Sequence, residues 1–392
     1  MTPSQRNHID LPALVCVLTL MVLSLAVVYS ASSTVALERW GSSTRLMLLH
    51  VGKIVISFIV IIVFMNVDYR KFKGKPTKRI LLGAIALLLI TLALGGEVKG
   101  AARWLRFGGF GFQPSEFARF ALLFHLCTLL AVKDNRVREF STGFLPMMVW
   151  IVLVASLVLL QPNFSTGAMI IAVSMTLLFV GRAKVSHILL TASAVLPLLL
   201  AYMLSAPYRM HRVLAYLGFT EDTGSKVNYQ LWQGIIGFGN GGIFGVGPGE
   251  SKQRDFFLPE SYGDFVFSIV GEEYGLIGTM VMLTLFLILM LRGFKIARYA
   301  RDEFGRYLAI GITISIAAYA LVNASVTLGI LPTTGLPMPF VSYGGSSMVF
   351  SSGAVGVLLN ISSYTDLHPR VGMPLFSRRR AKDPAPAVGQ VY

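Results

Sequence analysis

Smooth apolar runs of about 20 residues recur along the whole chain, and each is long enough to cross a hydrocarbon core of about 30 Å as a helix. Membrane-spanning barrel strands are about half that length and alternate in polarity, so the runs specify helices and not a barrel. The chain reads as an all-α, polytopic integral membrane protein. Composition agrees, with 54% hydrophobic residues, 14% charged residues and a mean hydropathy of +0.68 over 392 residues. Cys16 and Cys127 both fall inside apolar runs, so no disulfide framework is read from them.

Ten spans are expected, at 11–31, 46–67, 79–95, 114–132, 144–161, 166–181, 185–205, 264–291, 306–329 and 340–363. They divide the chain into an N-terminal segment 1–10, a ten-helix domain 11–363 and a basic tail 364–392 that reads as disordered. The first run lacks a small-residue cleavage site and is read as a retained span. With ten spans both termini share one side. That side collects 22 of the 34 Lys and Arg residues against ten on the other, which puts both termini in the cytoplasm. The same bias accounts for the formal charge of +15 without a nucleic-acid partner. A large outer loop, 206–263, separates spans seven and eight and, with the turn from Gly96 to Gln113, is where external chemistry is sought.

Charged groups inside spans are costly and tend to be paired or functional. At about 1.5 Å per helical residue, Lys53, Glu116, Arg119, Asp264, Glu272 and Glu273 all fall in the outer half of the bundle. The expected arrangement sets the carboxylates of span eight across a polar cavity from the cations of spans two and four. The alternative is structural: Glu116 and Arg119, three residues apart, neutralise one another, and Lys53 pairs with Glu272. Glu273 points away from Asp264 on a 3.6-residue helix and reads as structural. His50 and His125 read as packed histidines, and no His/Cys cluster has metal-ligand spacing.

Two motifs are declined. "GFGNGG", Gly237 to Gly242, formally matches a dinucleotide fingerprint but no strand precedes it. The longer run to Glu250 reads as backbone that either folds tightly or offers amides to a phosphate. "SYGGSS", Ser342 to Ser347, lacks the spacing of a nucleophile elbow.

Taken in order, "RW" at Arg103, "FQPSEFAR" from Phe112, "QPNFSTG" from Gln161, the run from Gly237 through "SYGDFVFSIVGEEYG" and "LPTTGLPMPFVSYGGSS" from Leu331 resemble the SEDS family of peptidoglycan polymerases, which includes FtsW and RodA. The resemblance spans all ten predicted helices. It implies a glycosyltransferase that polymerises lipid II on the outer face of the bacterial cytoplasmic membrane, with Asp264 at the family's essential aspartate. It also places Glu116 and Arg119 on a family motif in which Arg119 replaces a lysine; Asn163 replaces an aspartate and Gly263 a threonine. In that chemistry Asp264 is the general base, and the candidate substrate contacts are Lys53, Arg103, Glu116, Arg119, Glu272 and Ser342. A divalent cation, Mg or Mn, could bridge Asp264 and the pyrophosphate, although the chain shows no dedicated site. The implied partners are a class B penicillin-binding protein transpeptidase and other division proteins. The wording of "VGEEYG" and "TTGLPMPFVSYGGSS" leans toward FtsW. A RodA-type elongation polymerase, a lipid II flippase and a silent scaffold stay open as alternatives, and charges confined to the outer half favour the enzyme.

Overall fold

The computed structural model describes residues 6–367 except 95, 99–100, 108–109, 206–209, 211–213, 215, 217–225 and 259–260. Residues 1–5, Glu260, much of the first half of the predicted outer loop and the tail from 368 lie outside the described residues. The chain runs through α1 (Leu11–Trp40), α2 (Arg45–Asn66), α3 (Lys75–Leu94), the strands β1 (Gly96–Val98), β2 (Ala101–Phe107) and β3 (Phe110–Phe112), then α4 (Pro114–Lys133), α5 (Leu145–Leu160) and α6 (Phe164–Val180). It continues through α7 (Val185–Leu204), α8 (Lys226–Gly241), α9 (Val266–Arg298), α10 (Glu303–Thr327) and α11 (Gly345–Ser363). Among the described residues nine helices are long and apolar enough to cross a membrane, and α6 is a shorter apolar helix.

The helical membrane fold expected from the runs is the fold found. Two local differences matter for the site. The segment after α3 is not a simple turn but a three-stranded antiparallel meander, ordered β1-β2-β3, with Leu105 opposite Phe112. Trp104 lies across Gly111, where an added Cβ would stand 3.2 Å from the indole ring. The second difference is that α1 extends nine residues past its predicted end, because its last turns meet the outer loop: the Thr34 hydroxyl donates to Asp255 Oδ1 at 2.7 Å.

Burial identifies the centre of the bundle. Most of α4, α10 and α11 is buried, whereas α7 buries no residue and lies at the periphery. Large side chains such as Leu48, Leu49, Val55 and Ile59 face outward from α2, as a lipid-facing surface requires. The other face of α2 packs closely on α11 because glycines replace side chains there. An added Cβ at Gly356 would stand 2.8 Å from the Ile61 carbonyl oxygen and from Phe64 Cβ.

At the end of the bundle remote from Asp264, the start of the chain is clasped to its helices. Asp10 caps α1 by accepting from the Ala13 N–H at 3.0 Å, receives Arg292 Nε at 3.0 and 3.1 Å, and donates its own N–H to Ser362 at 2.9 Å. Asn360 accepts from the Tyr69 N–H and donates to the Met65 carbonyl, while the Tyr69 hydroxyl donates to Asp302. Burial, and then the Asp302 contact, push the Tyr69 phenol well above its ordinary range. Asp10→Ala removes a cap and leaves Arg292 without its carboxylate, so it is expected to cost about 3 kcal/mol or more, read as a lowered melting temperature in detergent. Asp10→Asn should cost less, since it keeps the cap acceptor. Equal stability of Asp10→Ala and the parent would contradict the clasp.

Candidate active site

The structure sorts the described carboxylates between Phe257 and Gly275 by what holds them. Glu272 and Glu273 lie near the start of α9 and are each 1% exposed. Just beyond them the helix breaks at Gly275, whose φ is +63°. The break frees main-chain groups that have no water to bond inside a membrane bundle. The Gly-rich segment enters the break and supplies their partners. The N–H groups of Val246 and Gly247 donate to the carbonyls of Glu272 and Glu273 at 2.9 and 3.1 Å. In return, Leu276 and Ile277 donate to the carbonyls of Gly242 and Ile243 at 2.9 and 3.2 Å.

The acids anchor this inserted segment. Glu272 accepts from Asn240 Nδ2 and the Gln253 N–H, both at 3.2 Å, and from the Ser251 hydroxyl. Glu273 accepts from the Ser30 hydroxyl of α1. Glu272 therefore does not pair with Lys53; its carboxylate is engaged by the loop that repairs the break. That corrects the expectation of a substrate contact at Glu272.

Asp264 is placed differently. It stands two residues before α9, half-buried, in a turn held by main-chain contacts from three directions. The Ser261 hydroxyl donates to the Ala31 carbonyl at 2.9 Å, and the Tyr343 N–H donates to the Tyr262 carbonyl at 2.9 Å. Asn323 Nδ2, from α10, donates to the carbonyls of both Asp264 and Leu336 at 2.7 and 2.8 Å. One carboxylate oxygen lies 3.6 Å from where a Cβ would stand at Gly335, a residue at φ +70°. The segment after α10 thus passes directly over Asp264.

The cations occupy two sides of α10 and α11. Lys53 Nζ sits 3.1 Å from the centroid of the Tyr343 ring, and the Tyr343 and Tyr262 rings meet edge-on at 5.7 Å. Arg119 pairs with Glu116 at 2.9 Å, with both side chains buried, and its guanidinium lies 3.8 Å from the Tyr319 ring centroid. Below Arg119 a small cavity opens between α4 and α6, walled by Leu123, Leu126, Ile170 and Leu177. Arg103 donates to the carbonyls of Gln161 and Pro162, which docks the meander on the α5–α6 turn. Ser342 is buried, and its oxygen accepts from the Met338 N–H at 2.8 Å. In this structure Ser342 builds the turn around Phe340, at φ +64°.

A family model described as "Cell cycle protein", covering FtsW, RodA and SpoVE, matches residues 11–367. The chain belongs to the FtsW, RodA and SpoVE family. A relative named probable peptidoglycan glycosyltransferase FtsW, of Geobacter metallireducens, is 40% identical over 356 residues, which is 90% of this chain and 94% of the relative. Stage V sporulation protein E of Bacillus subtilis is 36% identical over 368 residues, 92% of this chain and 99% of its own. In fold, the chain is similar to the Rod shape determining protein RodA of Thermus thermophilus, with a TM-score of 0.67 at 23% identity, covering 91% and 98% of the two chains. It is also similar to a chain of a peptidoglycan synthase complex, with a TM-score of 0.72 at 24% identity and coverage of 90% and 97%.

In this family member three residues that sequence reasoning missed tie the site together. Asn323 and Tyr319 lie four residues apart on one face of α10, so the Asp264 clamp and the Arg119 stack are a single helical turn apart. Tyr343 is the third, bridging Lys53 to the Asp264 turn. A lone amide inside an apolar span was the available signal for Asn323. The Glu116–Arg119 pair makes a testable claim of its own. Glu116→Gln alone strands a buried guanidinium and should cost about 3–5 kcal/mol. Adding Arg119→Met should restore much of that loss in melting temperature; a double variant no more stable than the single one would argue against the pair.

Proposed function

We propose that the chain is a peptidoglycan glycosyltransferase that joins lipid II units into glycan strands and releases undecaprenyl pyrophosphate. The observation that carries the reading is the placement of the acids: Glu272 and Glu273 are buried and hold the loop, while Asp264 is half-buried in a turn clamped by Asn323 and crossed by Gly335. Asp264 takes the proton from the acceptor hydroxyl as its oxygen attacks the anomeric carbon of the donor sugar. The bond from that carbon to the pyrophosphate breaks, and nearby cations stabilise the charge that develops on the leaving group. Arg119 and Lys53 are the candidates, with Arg103 and Glu116 as supporting contacts.

The Asp264 end faces outward on this reading, with both termini in the cytoplasm and ten spans including α6; the bias of basic residues toward the opposite side supports it. The 40% identity to an FtsW relative supports the division branch, with a class B penicillin-binding protein and other division proteins as partners. Among the described residues no three His, Cys, Asp or Glu side chains gather where a metal ion could sit. A Mg or Mn ion would be held by Asp264 together with the diphosphate of the substrate, and no step is routed through a metal.

The test uses the purified full chain with labelled lipid II, with and without a class B penicillin-binding protein. Glycan ladders support the reading. Lipid II transport across liposomes without ladders would favour the flippase, and sidewall instead of midcell location would favour elongation.

A further inference from the structure

Lys53 stands out among the cations of the bundle. Arg119 and Arg292 each meet a carboxylate, at 2.9 and 2.5 Å, whereas Lys53 forms no ion pair with any described acid and rests on the face of Tyr343. A half-buried ammonium within a span is costly unless something neutralises it. Its surroundings add positive character instead. The first turn of the 19-residue α11 begins at Gly345, with Gly344 as a cap that has no side chain. Its leading N–H groups have no intrahelical acceptors, and they form the positive pole of the helix. An added Cβ at Gly345 would stand 3.4 Å from Lys53 Cε and 3.9 Å from Nζ, so the ammonium lies against that turn. Two positive poles in contact call for an anion between them.

A third observation points the same way. Ser347 is 5% exposed, and its hydroxyl has no hydrogen-bond partner among the described residues. Its Cβ lies 3.7 Å from the Cβ position of Gly344, beside the same pair of glycines. A buried hydroxyl left unpaired is uncommon unless a ligand or water meets it. Ser346 differs, because its hydroxyl already accepts from the Gln113 N–H and donates to the Gly111 carbonyl. Gly344, Gly345 and Lys53 are each partly exposed, so the turn is open to a small anion. Without Cβ atoms, the glycine pair lets phosphoryl oxygens approach the backbone closely.

We propose that Lys53, the first turn of α11 at Gly344 and Gly345, and the Ser347 hydroxyl form a phosphate-class anion site beside the Asp264 turn. It deepens the glycosyltransferase reading and rests on it for the identity of the anion, assigning the leaving diphosphate to this side of α11. Tyr343 connects the two halves: its ring carries Lys53, and its N–H holds Tyr262, two residues before Asp264.

Binding is measured on the full chain in phosphatidylcholine nanodiscs, with inorganic pyrophosphate and a polyprenyl pyrophosphate as probes, and again with phosphatidylglycerol in the bilayer. Both diphosphates are expected to bind the parent, the prenylated one more tightly. Lys53→Met should weaken both about tenfold, a loss typical of one charge-assisted contact, while Lys53→Arg keeps most of the affinity. Ser347→Ala should weaken both about threefold and serves as the test if Lys53→Met does not assemble. Equal binding by the parent and Lys53→Met overturns the proposal. So does a site filled by phosphatidylglycerol and indifferent to either diphosphate. Asp264→Asn should bind both probes normally. If Asp264→Asn still makes glycan, the base assignment fails with the anion site untouched; if it is inactive and Lys53→Met binds like the parent, only the anion site fails.

Discussion

Asp264→Asn is expected to lower glycan polymerisation at least 10³-fold, toward the upper end of what a general base contributes, with little change in melting temperature. The substitution is nearly isosteric, and the contact that ties this turn to α10 leaves through the main chain. Asn323 Nδ2 holds the Asp264 carbonyl at 2.7 Å, so replacing the carboxylate by an amide leaves that clamp in place. The amide cannot accept the proton that the acceptor hydroxyl must lose. Lipid II binding should therefore survive while ladders vanish in a gel assay. Glu272→Gln provides the contrast. It weakens the anchoring of Asn240, Ser251 and Gln253, so its loss of activity should follow its loss of stability. Ladders made by Asp264→Asn at parental rate would remove Asp264 from the chemistry.

The spans were legible because a lipid core leaves a backbone one economical solution, a helix of fixed minimum length, and that requirement is local in sequence. The level of the charged residues was legible for the same reason, since helical rise converts position into depth. Partners were not, because they are set by contacts between distant segments. Spacing on α9 cannot reveal that the helix breaks at Gly275 or that Gly242 to Gly247 fills the break. Without the break, Glu272 looks like a resident of a cavity; with it, Glu272 joins Glu273, already read as structural, as an anchor of a loop. Arg103 and Ser342 illustrate a related limit. Both lie in segments that resemble family motifs, and in the structure both hold turns together through backbone atoms. The aromatic supports, Tyr319 under Arg119 and Tyr343 under Lys53, were hidden because an aromatic residue in an apolar run looks like ordinary core.

Gly245→Ala is expected to be a severely damaging single-methyl change. Gly245 sits at φ +85°, in the left-handed region, and an added Cβ would stand 2.1 Å from the Glu273 carbonyl oxygen and 2.4 Å from its carbon. Those are backbone atoms, so no rotamer change relieves the overlap and the inserted segment must withdraw. Withdrawal breaks the two bonds into α9 from Val246 and Gly247 and the two returned by Leu276 and Ile277. At about 1 kcal/mol per net bond, and more for each group left buried without a partner, the loss exceeds about 4 kcal/mol, a large share of typical stability. The Asp264 turn follows this segment in the chain, so polymerisation should fall with the fold: a loss of this size removes most of a marginal stability of about 5 kcal/mol, and activity should be lost at temperatures where the parent is still folded. Gly239→Ala is the control: it lies on α8 with ordinary φ, an added Cβ meets nothing within 4 Å, and a methyl there should be neutral or slightly stabilising. Melting temperatures and ladder assays on the two variants side by side decide the matter, and a Gly245→Ala protein as stable and active as Gly239→Ala would show that the loop does not repair the helix break.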